Sequence, residues 1–199
     1  MKRIAFCLCL AALVAPAVFA TSKPTQRRCS ITEASSPAIR GLRLGMSLQQ
    51  VLAVFPGSSK RKSLTEAIEK AKSTSNGEPV PVVFEPATDA IGESFAGVES
   101  VATTCLKQRL IEFNISYVGI TWTSVDQWIA KLSETLGLPG SPDWTAGPSE
   151  NPNKVLKCQG IEIEASIQGG GASIRIQNTE SKKAGVEAEV VKKQKEFKS

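Results

Sequence analysis

Histidine is missing from this chain altogether. Its absence removes the commonest general base at neutral pH and the commonest transition-metal ligand. Most hydrolase and zinc-site mechanisms would therefore need substitutes. No Cys-x-x-Cys pair occurs, so neither a redox dithiol nor a zinc knuckle is indicated. No cluster of Asp and Glu has calcium-loop spacing. Aromatic residues make up only 6%, with a single tyrosine. The longest apolar run, 4–14, is well short of the ~20 residues that span a bilayer, so no transmembrane segment is expected.

What the chain does contain is ordinary globular material. Its 199 residues are 41% hydrophobic and 22% charged, enough to bury one real core. Residues 1–20 read as a signal peptide: Lys2 and Arg3 precede the apolar run, and Ala15-Pro-Ala-Val-Phe-Ala20 offers the small residues a signal peptidase inspects. Neither Cys7 nor Cys9 can follow a cleavage point, so the expected product is an exported soluble protein, periplasmic or secreted, rather than a lipoprotein. The formal charge of +5 then shrinks. Lys2 and Arg3 leave with the leader, and six Lys against four Glu in 180–199 account for a further +2, so 21–179 keeps about +1. A basic excess confined to the two ends, with few aromatics to interleave, argues against nucleic acid as a partner.

Residues 21–38 are polar and Pro-marked and read as a loose arm. A single domain is expected over 39–179. Ser47 caps a short helix whose apolar residues are Leu48, Val51, Leu52, Val54 and Phe55, and Pro56-Gly57 stops it. Ser63 and Glu66 have capping-box spacing and predict a second helix over 63–72. These two residues lie in a long insertion, 57–97, which is Pro/Gly/Ser-rich over 73–97 and holds a short strand at 80–84. Strands are predicted over 98–104 and 110–118, the second with Ile111, Phe113, Ile115 and Tyr117 alternating with polar residues. The third helix runs over 124–136, capped by Ser124 and ended by Gly137 and Pro139. Three more strands follow at 154–158, 161–167 and 172–177. The fold class is therefore α+β: two or three helices packed on one face of an antiparallel sheet of five or six strands. Residues 180–199 form a charged tail, either a solvated helical extension or an element that docks on a partner or surface.

Two helix openings line up 77 residues apart: Ser47-Leu-Gln-Gln-Val-Leu-Ala53 over Ser124-Val-Asp-Gln-Trp-Ile-Ala130. Each precedes antiparallel strands, which suggests two helix-plus-hairpin repeats. The first opening, Leu42-Arg-Leu-Gly-Met-Ser-Leu-Gln-Gln-Val51 with Pro56-Gly57 behind it, resembles the Gly-Met-Ser/Thr-x-x-Gln-Val motif of SmpA/OmlA-type outer-membrane lipoproteins. The β-lactamase inhibitor proteins, built from two such units, share that motif. The resemblance covers 42–57, and it implies a helix layer on an antiparallel sheet and protein binding without catalysis. The chain departs from the motif in two ways: no lipid-anchoring cysteine follows the leader, and no Gly-Met precedes the second helix.

Residues suited to chemistry are few. Ser59 and Lys62 have Ser-x-x-Lys spacing without the companion motifs of penicillin-binding enzymes. Glu162 and Glu164 share one strand face roughly 7 Å apart, a separation of interest to glycoside hydrolysis but also that of a wet sheet face. No catalytic, metal or cofactor residues are assigned, and the chain is expected not to be an enzyme. Of the three cysteines beyond the leader, Cys105 and Cys158 lie at ends of predicted strands and are the expected disulfide, leaving Cys29 in the arm. Trp122 and Trp144 flank the third helix in connections and are the candidate partner contacts. The expected function is an exported protein-interaction or envelope-associated module whose partner is another protein. The alternative is a small-ligand binding protein with a pocket between the sheet and the 57–97 insertion.

Overall fold

Helix boundaries follow local chemistry closely. Ser47 accepts a hydrogen bond from the Gln50 backbone N–H at 3.2 Å, and the Gln50 side chain accepts from the Ser47 N–H at 2.8 Å, closing a capping box. The resulting helix α1, Leu48–Val54, buries Leu48 and Val51 and stops before Pro56. The computed structural model describes residues 29–73, 78–90, 92–119, 122–169 and 171–196. The leader 1–20 and the arm over 21–28 lie outside the described residues.

Helix α2, Lys62–Ser73, begins one residue before Ser63. Ser63 is thus inside the helix instead of capping it, and the expected Ser63–Glu66 box does not mark its start. Strand β1 is Val80–Phe84, and the single turn α3 is Pro86–Asp89. Strands β2, Val98–Leu106, and β3, Arg109–Tyr117, join through Lys107 and Gln108. Both turn residues have positive φ, 48° and 61°, the backbone that two-residue hairpin turns require. Helix α4, Val125–Leu136, starts at Ser124, which accepts from the Gln127 N–H, and ends at Gly137 with φ 67°. Strands β4, Thr145–Ala146, β5, Asn153–Lys157, β6, Ile161–Gln168, and β7, Gly171–Asn178, lead into helix α5, Thr179–Glu196.

All strand pairs are antiparallel and form one sheet in the order β1-β2-β3-β7-β6-β5-β4. Reading outward from the central β3–β7 pair, the order is third, second, first strand on one side and the same on the other, with two-residue β4 added at one edge. The α+β class with one antiparallel sheet holds. The sheet has seven strands, not five or six; β4 is the addition, too short to carry an alternation signal.

Register decides what each face does. Val101, Ile115, Ile174 and Ala165 lie side by side across four strands and are all completely buried. With Phe113, Ile163 and Ile176 they face α1 and α4, whose Val51 and Ile129 are equally covered. Burying each such side chain contributes about 1.5–3 kcal/mol. Phe55, ending α1, stacks on Phe84 of β1 with centroids 4.1 Å apart, which pins the insertion to the same core.

The helices do not all share that face. Lys182 of α5 reaches Glu112 at 2.9 Å and Gln177 at 2.7 Å, both cross-strand partners on the opposite side of the sheet. Gly185 is buried against Pro79 and Leu106. The described part of the tail is therefore a docked helix packed on β3, β6 and β7, not a solvated extension. The arm is also tied down where it is described. Cys29 is 8% exposed, Ser36 is buried, and Glu33 accepts a hydrogen bond from Asn178.

Candidate functional site

The most chemically suggestive cleft forms where β3 ends. Tyr117 is the last residue of β3 and the only tyrosine in the chain. Alternation along β3 turns it to the core side, where it meets Trp128, one turn into α4, edge-on at 5.4 Å. Trp122, in the connection between the two, packs on Trp128 at 5.4 Å with planes 43° apart. The Trp128 indole N–H donates to the Ser173 carbonyl at 2.9 Å, so that ring is fixed to β7. The Trp122 indole N–H is buried and has no acceptor among the described residues. An orphaned buried donor of this kind costs about 1–3 kcal/mol.

The opposite wall comes from the start of the domain. Ile39 and Leu42 exchange two backbone hydrogen bonds of 2.9 Å, enclosing a two-residue turn of Arg40 and Gly41. Both turn residues have positive φ, 53° and 85°. Glycine accepts that backbone readily, but arginine bears a strain of roughly 1 kcal/mol there. The Arg40 guanidinium donates to the Ser94 carbonyl at 2.8 Å and to the Ala96 carbonyl at 3.2 Å. Tyr117 lines the same cleft; burial pushes its phenol up while the neighbouring Arg40 guanidinium pulls it back down. Lys131, Leu132 and Leu136 of α4 complete a cleft of about 340 Å³.

This cleft holds one of the two tryptophans expected to contact a partner. Trp144 is elsewhere and is 5% exposed, its indole N–H donating to the Pro139 carbonyl at 2.9 Å. It plugs the region behind the C-terminus of α4, where Ser133 donates to the same carbonyl at 2.9 Å. Trp144 is a structural core residue, not a surface contact. The cleft's position also differs from the pocket expected between sheet and insertion. Among the described residues of 57–97 only Ala96 lines it, and α4 supplies most of one wall. A second cleft, of about 440 Å³, lies between α1 and α2 and includes Leu52 and Ile68.

The disulfide also differs from expectation. Cys29 bonds to Cys158, with Cα atoms 4.5 Å apart, and Cys105 is a buried free thiol. Cys105 belongs to β2, while Cys158 directly follows β5, four strand positions away across β3, β7 and β6. At about 4.8 Å per step that is some 19 Å, several times the Cα separation a disulfide tolerates. Burial pushes the Cys105 thiol up to about 11.

Glu162 and Glu164 lie on the sheet face opposite the core, but not as free carboxylates. Arg175 pairs with Glu164 and, at 4.0 Å, with Glu112. Asn153 donates to Glu164 at 2.7 Å, and Gln177 donates to Glu162 at 2.6 Å. The Glu112 and Glu164 side chains are only 16% and 15% exposed. Where alternation predicts a wet surface, the fold places a half-buried polar network bounded by Lys182 of α5. Among the described residues, no three Cys, Asp or Glu side chains converge as a metal site would need.

Compared with models of known protein families, with characterised proteins and with solved structures, the chain finds no match. Its site therefore has to be read from its own residues. Arg40 and Lys131 escaped the sequence reading. The available signal was the Arg40-Gly41 dipeptide between apolar Ile39 and Leu42, a hairpin-turn pattern with a charged residue where asparagine or glycine is usual.

Proposed function

We propose that this chain is an exported, non-catalytic binding protein and that the cleft over Tyr117, Trp122 and Trp128 is its binding site. One observation carries the reading. Three aromatic rings converge on a cavity of about 340 Å³ beside an arginine held in a strained turn. Ligand sites are mostly apolar concavities with a few placed polar groups, and strained backbone concentrates at functional positions. Export is supported by the leader-like first twenty residues and by the Cys29–Cys158 bond, which an oxidising compartment maintains. The mirrored strand order supports two helix-plus-strand units sharing a sheet, as the resemblance at 42–57 implies.

The three tryptophans supply the test. In the NMR spectrum of chain 21–199, each indole N–H gives its own signal. A fragment library should contain compounds that move the Trp122 and Trp128 signals and leave Trp144 in place, since Trp144 is sealed against Pro139. A screen in which fragments move only signals away from these two rings would overturn the reading.

Protein binding is the second reading, and α5 favours it. Val186, Val190 and Val191 are each about half exposed on a helix already docked to the sheet. A partner held there would shift α5 amides without disturbing the indoles of Trp122 and Trp128.

A further inference from the structure

Resting on that reading of the cleft, we infer that its ligand is a small organic anion. A carboxylate would be held by Arg40, and an aromatic ring or short apolar chain would lie against Trp128 and Tyr117.

The polar side chains of the lining decide the sign. Arg40, Lys131 and Trp122 can only donate hydrogen bonds. The Trp128 N–H is already spent on the Ser173 carbonyl, and the nearby Thr135 hydroxyl on the Lys131 carbonyl at 2.8 Å. Among the described residues, no Asp or Glu lines the cleft. The Tyr117 and Thr135 oxygens are the side-chain acceptors the lining offers, so donors predominate and a ligand that brings acceptors is favoured.

Arg40 is the arginine of the cleft, and it lacks a carboxylate partner among the described residues, as Arg43 outside the cleft does. Arg61, Arg109 and Arg175 each lie within 4.0 Å of a carboxylate. Among the described residues Arg40 has none; two carbonyls orient its fork without neutralising it. Those two bonds use part of its five N–H groups, and the planar remainder suits a carboxylate. Lys131 is already matched by Glu134 at 2.8 Å, so recognition falls to Arg40.

Three aromatic rings could instead cage a cation. The guanidinium of Arg40, with no carboxylate beside it among the described residues, opposes that, and the choice goes to the anion. Size restricts it further. A volume of about 340 Å³ is at the small end of ligand pockets, room for a single ring or short chain.

The experiment compares acid, amide and amine forms of phenyl, indolyl and hexyl skeletons, for instance 4-phenylbutyrate, its amide and 4-phenylbutylamine. Binding to chain 21–199 is read by calorimetry and by the indole N–H signals. The acids should bind about tenfold tighter than the amides, the difference between a bidentate ion pair with Arg40 and a single bond from it to a neutral oxygen, and the amines weakest. High salt should weaken the acids alone. Arg40→Gln should weaken each acid more than its amide and close most of the gap between them; Trp122 and Trp128 indole signals at their original positions in the unliganded variant show the cleft still formed. Arg40→Lys should fall between. Amides equal to acids, with Trp122 still responding, would overturn the anion and leave the cleft standing. Probes that bind without moving Trp122 and Trp128 would overturn both. Failure of every acid to bind at millimolar concentration would overturn the inference.

Discussion

Cys29 and Cys158 are 129 residues apart in sequence and 4.5 Å apart at their Cα atoms, joined by a disulfide. The bond fastens the beginning of the described chain to the turn between β5 and β6, so that the segment carrying Arg40 leaves from a fixed point. Closing so long a loop removes much of the freedom of the unfolded chain. Changing both cysteines to serine should lower unfolding stability in urea by about 2–5 kcal/mol. An unchanged midpoint would show the bond to be dispensable.

Cys105 makes a separate prediction. Its thiol should resist alkylation in the folded oxidised protein and react once the chain unfolds. Its pKa is raised from 9.0 to about 11 by burial. Below pH 9 the thiol is protonated folded or unfolded, and its contribution is complete. Between pH 9 and 11 only the unfolded chain loses the proton, so stability falls as pH rises, by about 1.4 kcal/mol per pH unit at most. Lysines titrate there too, so the measurement is the difference from Cys105→Ala, whose alkaline limb should be flatter.

Gly185 tests whether α5 is docked. A Cβ at this position would stand 2.7 Å from Cγ of Pro79, a ring that cannot swing aside. In a free helix, Gly185→Ala would gain about 1 kcal/mol from helix propensity. In the docked helix it should instead lower the melting temperature and open 180–196 to trypsin. The sign of the change in melting temperature decides the matter.

Gly57, behind the short motif at 42–57, is predicted to be equally intolerant. Its Cβ would meet the Thr88 carbonyl oxygen at 2.5 Å and the Asp89 backbone at 3.1 Å. Asp89 is fully buried there, accepting from Arg61 at 2.7 Å and from the Glu85 backbone N–H at 2.7 Å. Gly57→Ala should cost about 1–3 kcal/mol as an overpacked site. Asp89→Ala should cost about 3–5 kcal/mol, because it removes the buried acceptor of both Arg61 and the Glu85 backbone N–H and leaves Arg61 only the exposed Glu85 carboxylate at 3.1 Å. Thermal unfolding of both variants checks the order.

Asp126 gives the acid limb. It sits in the first turn of α4, and hydrogen bonds from Lys154 and Ser141 hold its carboxyl below the usual carboxylate range. A depressed folded pKa means the stabilisation is present above about pH 4. It is lost as pH falls through the folded value. Asp126→Asn should flatten stability against pH in that acid window and leave it otherwise parallel.

The local signals held where the physics is local. Ser47 and Ser124 cap the helices they precede, Gly137 ends α4, and the period-two runs over 110–118 and 161–167 became strands with one face in the core. The Ser63–Glu66 pattern failed because capping needs only a few residues to match, and α2 starts from Arg61, whose carbonyl takes the Thr65 N–H at 2.9 Å. The candidate site was half legible. Trp122 stands out as an aromatic in a connection, whereas Arg40 joins it only because the insertion's end at Ser94–Ala96 folds over to hold its guanidinium.

By itself, then, the order of residues determined which segments are helix or strand and which side of each is apolar, since caps, turns and periodicity act over a few positions. Tertiary structure alone decided which cysteine meets Cys158, that Trp144 is interior, that α5 covers the face alternation marks as wet, and that Arg40 and Tyr117 line one cleft. Those outcomes depend on strand order and on what lies across the sheet, and strand order is set by the joint burial of residues far apart in the chain.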